Sequence, residues 1–259
     1  MDLKTICQKA CIIAGEAGNF IREERKNFNT STVEVKSFNQ LVSYVDKTVE
    51  ELLVKGLSKI LPEAGFITEE NTIATEQKDY MWVIDPLDGT TNFIHGIPCF
   101  SISIALMLNN KIILGVVYDI MRDECFYAFD DGAWLNNKPI KVSQTPDLES
   151  SILGTGFPSR DYTKLDKYID VLKTLFINTH GVRRIGSAAI DLCYVASGRF
   201  DAFFEYGLKS WDVAAGAFIV EKAGGKVTEF NEGENYIFGN DIIASNGKIH
   251  DKIIEIINK

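Results

Sequence analysis

Asp85 and Asp88 flank Pro86 and Leu87 at the point where an apolar run, Trp82-Val83-Ile84, gives way to Gly89, Thr90 and Thr91. Carboxylates and carbonyls are the ligands of hard divalent cations such as Mg²⁺. Backbone N–H groups at a helix start suit a phosphate. An isolated Asp-Gly would read as an ordinary turn after a strand. Here a second acid, a proline and paired hydroxyls exceed what a turn requires. Pro86 fixes its own φ and biases Asp85 toward an extended conformation. A bend between the two acids lets them converge on one ion and turns the Leu87 carbonyl toward it. The stretch therefore predicts metal-assisted phosphate chemistry.

Two phosphatase patterns compete for it. Haloacid dehalogenase-like phosphatases also follow an apolar strand with Asp, Asp, Gly and Thr, but with one residue between the acids. The stretch from Trp82 to Phe93 instead resembles the hallmark of the inositol monophosphatase family, D-P-[ILV]-D-G-T-[ST]-N-[FY] after an apolar strand. Four further segments follow that family's order. Leu41 to Asp46 is similar to its L-V-T-x-x-D element, and Gly65-Phe66-Ile67-Thr68-Glu69-Glu70 to its glycine-phenylalanine-glutamate-glutamate segment. Arg184 to Leu192 resembles its glycine-serine-alanine helix entry. Trp211 to Gly216, with Glu221 to Gly225, resembles its second signature.

The resemblance implies a layered αβαβα sandwich of the sugar-phosphatase type, mixing α+β and α/β organisation. It implies two or three Mg²⁺ ions held by Glu69, Asp85, the Leu87 carbonyl, Asp88 and Asp212. Asp46, Glu69 and Thr90 become the catalytic residues, Thr90 and Asp46 orienting a water and accepting its proton. Two bound cations lower the pKa of water and neutralise the leaving oxygen. The implied attack on phosphorus is in line, with no phosphoenzyme. Substrate contacts fall on Asp88, Gly89, Thr90, Gly186, Ser187, Ala188, Glu205 and Asp212. Gly89, lacking a Cβ, allows close approach of a ligand to the backbone.

For several of these positions local structure alone is an adequate account. Asp212 reads equally as an acid at a helix N-terminus, and Ser187 as a helix N-cap. Glu70 is expected to be a solvated acid. Gly154-Thr155-Gly156 is no dinucleotide loop, because Ser159 stands where the third glycine belongs. Gln40 replaces an aspartate common in relatives ahead of the L-V-T element, which is expected to weaken an auxiliary ion. Ser43 keeps the hydroxyl of the usual threonine. The family's Li⁺ sensitivity is implied as well.

Across 259 residues the formal charge is −9, which argues against nucleic acid or an anionic membrane as partner. A 46% hydrophobic content supplies a sizeable core. The cysteines, Cys7, Cys11, Cys99, Cys125 and Cys193, form no C-x-x-C, and His95, His180 and His250 lack ligand spacing, so a structural zinc is not expected. No leader or membrane-spanning run is read, and a cytoplasmic homodimer is expected. Cys7 and Cys11 read as buried thiols one helical turn apart.

The elements that must position these acids follow from periodicity. Leu3 to Ile21 repeats as a helix with one buried face, and a second helix runs from behind Asp46 to Ile60. Val33 to Lys36 is a possible strand. Phe100 to Leu108 alternates as a half-buried strand. Asn109-Asn110 turns it into Ile112 to Tyr118, and Asp130-Asp131-Gly132 turns the strand Cys125 to Phe129, an antiparallel meander. A polar seam near residue 145 divides an α+β half, 1–145, carrying Glu69 and the aspartate motif, from an α/β half, 146–259, carrying Asp212 and the substrate-lining residues. In the second half Ile152 to Thr155 is a strand. Leu165, Tyr168, Ile169, Leu172, Leu175 and Phe176 form a helical face. Residues 188–197, 211–223 and 249–257 are helices, with strands at Phe200 to Phe204 and Ile242 to Ala244. The reading that follows is a Mg²⁺-dependent phosphomonoesterase acting on inositol 1-phosphate. Alternatives are relatives acting on 3′-phosphoadenosine 5′-phosphate, histidinol phosphate or fructose 1,6-bisphosphate, or a non-catalytic partner-binding protein on the same scaffold.

Overall fold

Asp2 starts the first helix, α1 (Leu3–Lys26), by accepting the Thr5 N–H at 3.3 Å. The structure, a computed structural model, describes residues 2–28, 34–37, 40–130, 132–157 and 162–259. A hairpin, β1 (Glu34–Ser37) and β2 (Gln40–Val42), precedes α2 (Tyr44–Ile60). Val33 lies outside the described residues, as do Asp131, Ser159 and the Gln40 side chain. Asp46 sits inside the first turn of α2 rather than ahead of it, because Ser43 is the residue that caps the helix.

Next come β3 (Gly65–Thr68), β4 (Tyr80–Asp88), the short α3 (Thr90–His95), β5 (Ser101–Leu108), β6 (Lys111–Asp119), β7 (Glu124–Phe129), β8 (Gly132–Leu135) and β9 (Lys138–Pro139). These strands form one seven-stranded sheet in sequence order, antiparallel throughout except that β3 and β4 run parallel. The predicted meander is present. Asn109 and Asn110 take φ of 50° and 64°, the left-handed pair that a two-residue hairpin turn demands.

A five-stranded sheet, ordered β11-β10-β12-β14-β13, is built from β10 (Ile152–Thr155), β11 (Gly181–Arg183), β12 (Ala202–Tyr206), β13 (Lys226–Thr228) and β14 (Asp241–Ser245). Its helices are α4 (Leu165–Asn178), α5 (Ala188–Ala196), α6 (Ser210–Lys222) and α7 (His250–Ile257). β10 pairs in parallel with β11 and β12, while β14 is antiparallel to both β12 and β13.

Three apolar clusters join these pieces into five layers. The helices α1 and α2 pack on one face of the seven-stranded sheet through Val49, Leu53, Trp82 and Ile104. The helices α5 and α6 fill the space between the two sheets, where Val83, Ala105, Leu192, Phe203, Ala215 and Ile242 meet. On the outer face of the five-stranded sheet, α4 and α7 cover Phe204 and Ile243. The order is the expected αβαβα.

Three expectations need correction. β5 is buried on both faces, not half-buried, because its small Ser101, Ser103 and Ala105 face the α5–α6 layer instead of water. On α4, Leu165, Ile169 and Phe176 are exposed; the face that packs is Tyr168, Val171, Leu172 and Leu175. Cys7 is buried as expected, but Cys11 is only half-buried, and all five thiols are free.

Candidate active site

The acids of the aspartate motif arrive on β4, a strand buried along nearly its whole length between β3 and β5. Pairing with β5 slips between Asp85 and Asp88, which is the bend predicted at Pro86-Leu87. Asp85 then turns back on its own chain, and its Oδ1 accepts the Leu87 N–H at 2.9 Å. Asp88 points to the next layer. Its Oδ2 accepts the Ser187 hydroxyl at 2.5 Å and the Ala189 N–H at 2.8 Å, both at the start of α5. Ser187 is therefore both the N-cap of α5, accepting the Ile190 N–H at 3.3 Å, and a donor to Asp88.

Gly89 adopts φ of 97°, a conformation that L side chains rarely take. A Cβ there would also meet the Cys99 carbonyl at 3.0 Å. The glycine is thus required by its own backbone and by its neighbours, not only by a ligand. Asn92, the asparagine of the motif, spends its amide protons on the carbonyls of Cys99 and Ile185, both at 2.8 Å. It ties the loop after β4 to the segment that carries Gly186, Ser187 and Ala188.

Thr90 holds the central position. Its hydroxyl lies 3.0 Å from Asp46 Oδ1 and 3.0 Å from the Leu87 carbonyl. A hydroxyl has one proton, so only one of these acceptors can receive it at a time. A cation on the Leu87 carbonyl would leave the proton for Asp46. Asp46 is fully buried, and its Oδ2 accepts the N–H and hydroxyl of Ser43 at 2.8 and 2.7 Å. Burial raises its pKa, with the Ser43 and Thr90 bonds opposing.

Glu69 follows β3, and Asp212 lies in the first turn of α6. Asp212 does cap, accepting the Lys209 N–H at 2.6 Å, yet it also belongs to the acidic cluster. Asp85 is pushed well above the ordinary carboxylate range, first by burial and then by the charges of Glu69, Asp88 and Asp212. Burial raises Asp88 too, against the Ser187 and Ala189 bonds. No three such side chains among the described residues already meet as metal ligands do. The fit to a cation rests on the donor set: four carboxyl groups and one carbonyl, all oxygen, as hard divalent ions prefer. The charges of Glu69, Asp88 and Asp212 all act on Asp85 in the same direction, and a bound cation would offset that repulsion.

A small cavity of about 100 Å³ adjoins these acids, lined by Asp88, Gly186, Ser187, Ala188, Glu205 and Asp212 together with Thr155, Gly156, Arg184 and Asp191. Glu205, on β12, is held well above its usual pKa by burial, with Asp212 and Asp88 adding and Arg184 opposing. Its carboxylate lies so close to Gly156 that a Cβ there would be 1.9 Å from it. Gly154, two residues earlier on β10, leaves similar room for Asp191 and the Phe200 ring. This is what the Gly-Thr-Gly run does. A larger cavity of about 330 Å³ lies against Tyr168, Tyr206 and Phe230, but Asp241 is its only acid.

The structure places Glu69, Asp88 and Asp212 where their charges act on Asp85, bonds Thr90 to Asp46 and to the Leu87 carbonyl, and sets Gly186, Ser187, Ala188 and Glu205 around the adjoining cavity. Four participants were not foreseen. Arg184 is the cation acting on Glu205 and Asp191; Asp191 is fully buried, and its Oδ1 has no hydrogen-bond partner. Asn92 donates to the Cys99 and Ile185 carbonyls, and the buried Glu50 accepts from Glu70 and Thr72. Glu70 is half-buried rather than a solvated acid. The Arg184-Ile185-Gly186 and Asp191 positions lie inside a quoted family segment, so the only available signal was their neighbourhood.

The chain matches the model of the inositol monophosphatase family over residues 2–259 and belongs to that family. It is 42% identical over 238 residues to the Nus factor SuhB of Escherichia coli, covering 91% of this chain and 89% of that one. The extragenic suppressor protein suhB of Bartonella henselae superposes with a TM-score of 0.92 at 36% identity, covering 100% and 99% of the two chains. The inositol monophosphatase of Anabaena (Nostoc) superposes at 0.85 with 35% identity, covering 100% and 97%. Family membership supports a small phosphate ester as partner. The relatives' name, Nus factor, runs against the expectation that nucleic acid plays no part, an expectation that rested on net charge alone. No helix among the described residues is long and apolar enough to cross a membrane.

Proposed function

We propose that this chain is a Mg²⁺-dependent phosphomonoesterase acting on small polyol monophosphates, inositol 1-phosphate foremost. The observation that carries this is the cluster of Glu69, Asp85, Asp88 and Asp212 beside a hydroxyl, Thr90, shared between Asp46 and the Leu87 carbonyl. Glu69, Asp85, the Leu87 carbonyl, Asp88 and Asp212 would hold the cations. When bound, these supply a lowered water pKa and neutralise charge on the leaving oxygen. Thr90 donates to Asp46 and accepts from the attacking water, and the buried Asp46 takes the proton. Gly89 and Thr90 offer backbone N–H groups to phosphate oxygens. Glu205 accepts hydrogen bonds from polyol hydroxyls and repels a second phosphate, because like charges in a poorly solvated site are costly.

The test is a panel of phosphate esters, with phosphate release followed in Mg²⁺ and in chelator. Inositol 1-phosphate should exceed fructose 1,6-bisphosphate and 3′-phosphoadenosine 5′-phosphate. Hydrolysis undiminished in chelator, or none of any ester in Mg²⁺, would end this reading. Li⁺ inhibition, a cytoplasmic location and a dimer are expected from the resemblance. A second reading, a Nus-factor role, is favoured by the names of the relatives. The two readings separate if a hydrolytically dead Asp88→Asn protein still replaces SuhB in an Escherichia coli strain lacking it.

A further inference from the structure

Glu50 lies on α2 one turn beyond Asp46, and its side chain is fully buried. A carboxylate out of water is costly unless its oxygens are hydrogen-bonded. Here one short segment satisfies it. Oε2 accepts the Glu70 N–H at 2.7 Å, and Oε1 accepts the Thr72 N–H at 2.7 Å and the Thr72 hydroxyl at 2.8 Å. That segment leaves the end of β3, where pairing with β4 has stopped at Thr68, and its first residue is Glu69. At its centre Asn71 takes φ of 54°, and its amide donates to the Glu69 carbonyl at 3.1 Å. The loop is wrapped around the Glu50 carboxylate as a loop wraps an anion.

We infer that Glu50 is a positioning residue for the cation site, fixing Glu69 through the Glu70–Thr72 backbone. This rests on the reading of Glu69 as a cation ligand. Because Asp46 is on the same turn-and-a-bit of α2, one rigid helix sets two groups at once: the acid bonded to Thr90 and the loop that presents Glu69. Glu50 has no contact with the cavity beside Glu205 and makes no bond to Thr90, so its effect on the site passes through the loop.

Glu50→Gln tests this. Glutamine has one acceptor oxygen, and its amide would face an N–H donor, so at least one of the three bonds is lost. Three readouts are needed: amide exchange at Glu70 and Thr72, Mg²⁺ affinity by calorimetry without substrate, and hydrolysis as a function of Mg²⁺. In Glu50→Gln, exchange at whichever of the two amides faces the glutamine NH₂ should be about tenfold faster, and the Mg²⁺ dissociation constant about tenfold higher. Turnover at saturating Mg²⁺ should stay within about threefold of wild type, since no group touching substrate has changed. If Glu50→Gln does not fold, Thr72→Val removes one donor at an exposed position and should move both quantities the same way by about threefold. Faster exchange with unchanged Mg²⁺ affinity would overturn the inference, leaving Glu50 a structural acid. Unchanged exchange would overturn it as well. A wild-type protein that binds no Mg²⁺ while both amides stay protected would instead sink the cation reading of the site, which is a different failure.

Discussion

Replacing Gly156 by alanine should impair recognition of the polyol without harming either the fold or the cation site. The added Cβ would lie 1.9 Å from the carboxyl carbon of Glu205 and 2.0 Å from each of its oxygens. Carbon atoms pack at about 3.5 Å, so the carboxylate must retreat by roughly 1.6 Å. It is the free end of a side chain, so rotation accommodates this, and β10 need not move. Gly156 lacks the positive φ that would itself strain an alanine. The thermal midpoint should therefore change little. Glu205 would leave its place, and the substrate would lose a charge-assisted hydrogen bond of about 1.5–3 kcal/mol, or roughly 10- to 100-fold in kcat/KM. The assay compares inositol 1-phosphate with phenyl phosphate, which has no polyol hydroxyls, in wild type, Gly156→Ala and Glu205→Gln. Only the inositol ester should suffer, and the two variants should resemble each other. Equal losses on both esters, or no loss on either, would refute the placement of Glu205 in the substrate site.

Asp88→Asn should lower Mg²⁺-dependent turnover by at least about 100-fold, because it removes a cation ligand and sets an amide against the Ser187 and Ala189 donors; steady-state kinetics with Mg²⁺ restored after EDTA would show it. A chiral thiophosphate ester should be hydrolysed with inversion at phosphorus, and retention would mean a phosphoenzyme. His250 is buried with Ser245 and Thr228 on its two ring nitrogens at 2.8 and 2.9 Å, and burial lowers its pKa from 6.5 to about 4. The unfolded chain takes the proton first as pH falls, so this residue costs stability progressively between those two values. His250→Gln should flatten the decline of the thermal midpoint over that range, and a parallel decline in both proteins would show that His250 is not its source.

The aspartate motif was legible because its chemistry is local: five consecutive residues hold two acids, a carbonyl and a glycine turn. Choosing Glu69 over Glu70 needed the family pattern, and the structure explains why. In the structure the charge of Glu69 acts on Asp85, while the backbone N–H of Glu70 donates to Glu50, twenty residues earlier. Such pairings across distant segments leave no periodic trace. The same holds for Arg184 with Glu205, and for Asn92 with Ile185. Periodicity located α1, α2, β5 and β6 well. It missed β11 and β13, three-residue edge strands too short to repeat, and β8, whose Gly132-Ala133-Trp134-Leu135 lacks alternation. On α4 the apolar arc is wide, and Leu165, Phe176 and Ile169 form its exposed edge, which the helical spacing by itself does not separate from the packed side.

The acids come from separate layers: Glu69, Asp85 and Asp88 from the C-terminal ends of β3 and β4 in the seven-stranded sheet, Asp212 from the start of α6. A cation held by all of them, as proposed, would close a loop running from residue 69 to residue 212, as a covalent cross-link does. Closing a loop of about 140 residues is worth about 5 kcal/mol against the unfolded chain in the chain-entropy model. Ion occupancy would then be readable mechanically: a filled site should resist pulling apart between Glu69 and Asp212, and chelation should let the α6 layer yield before the sheet.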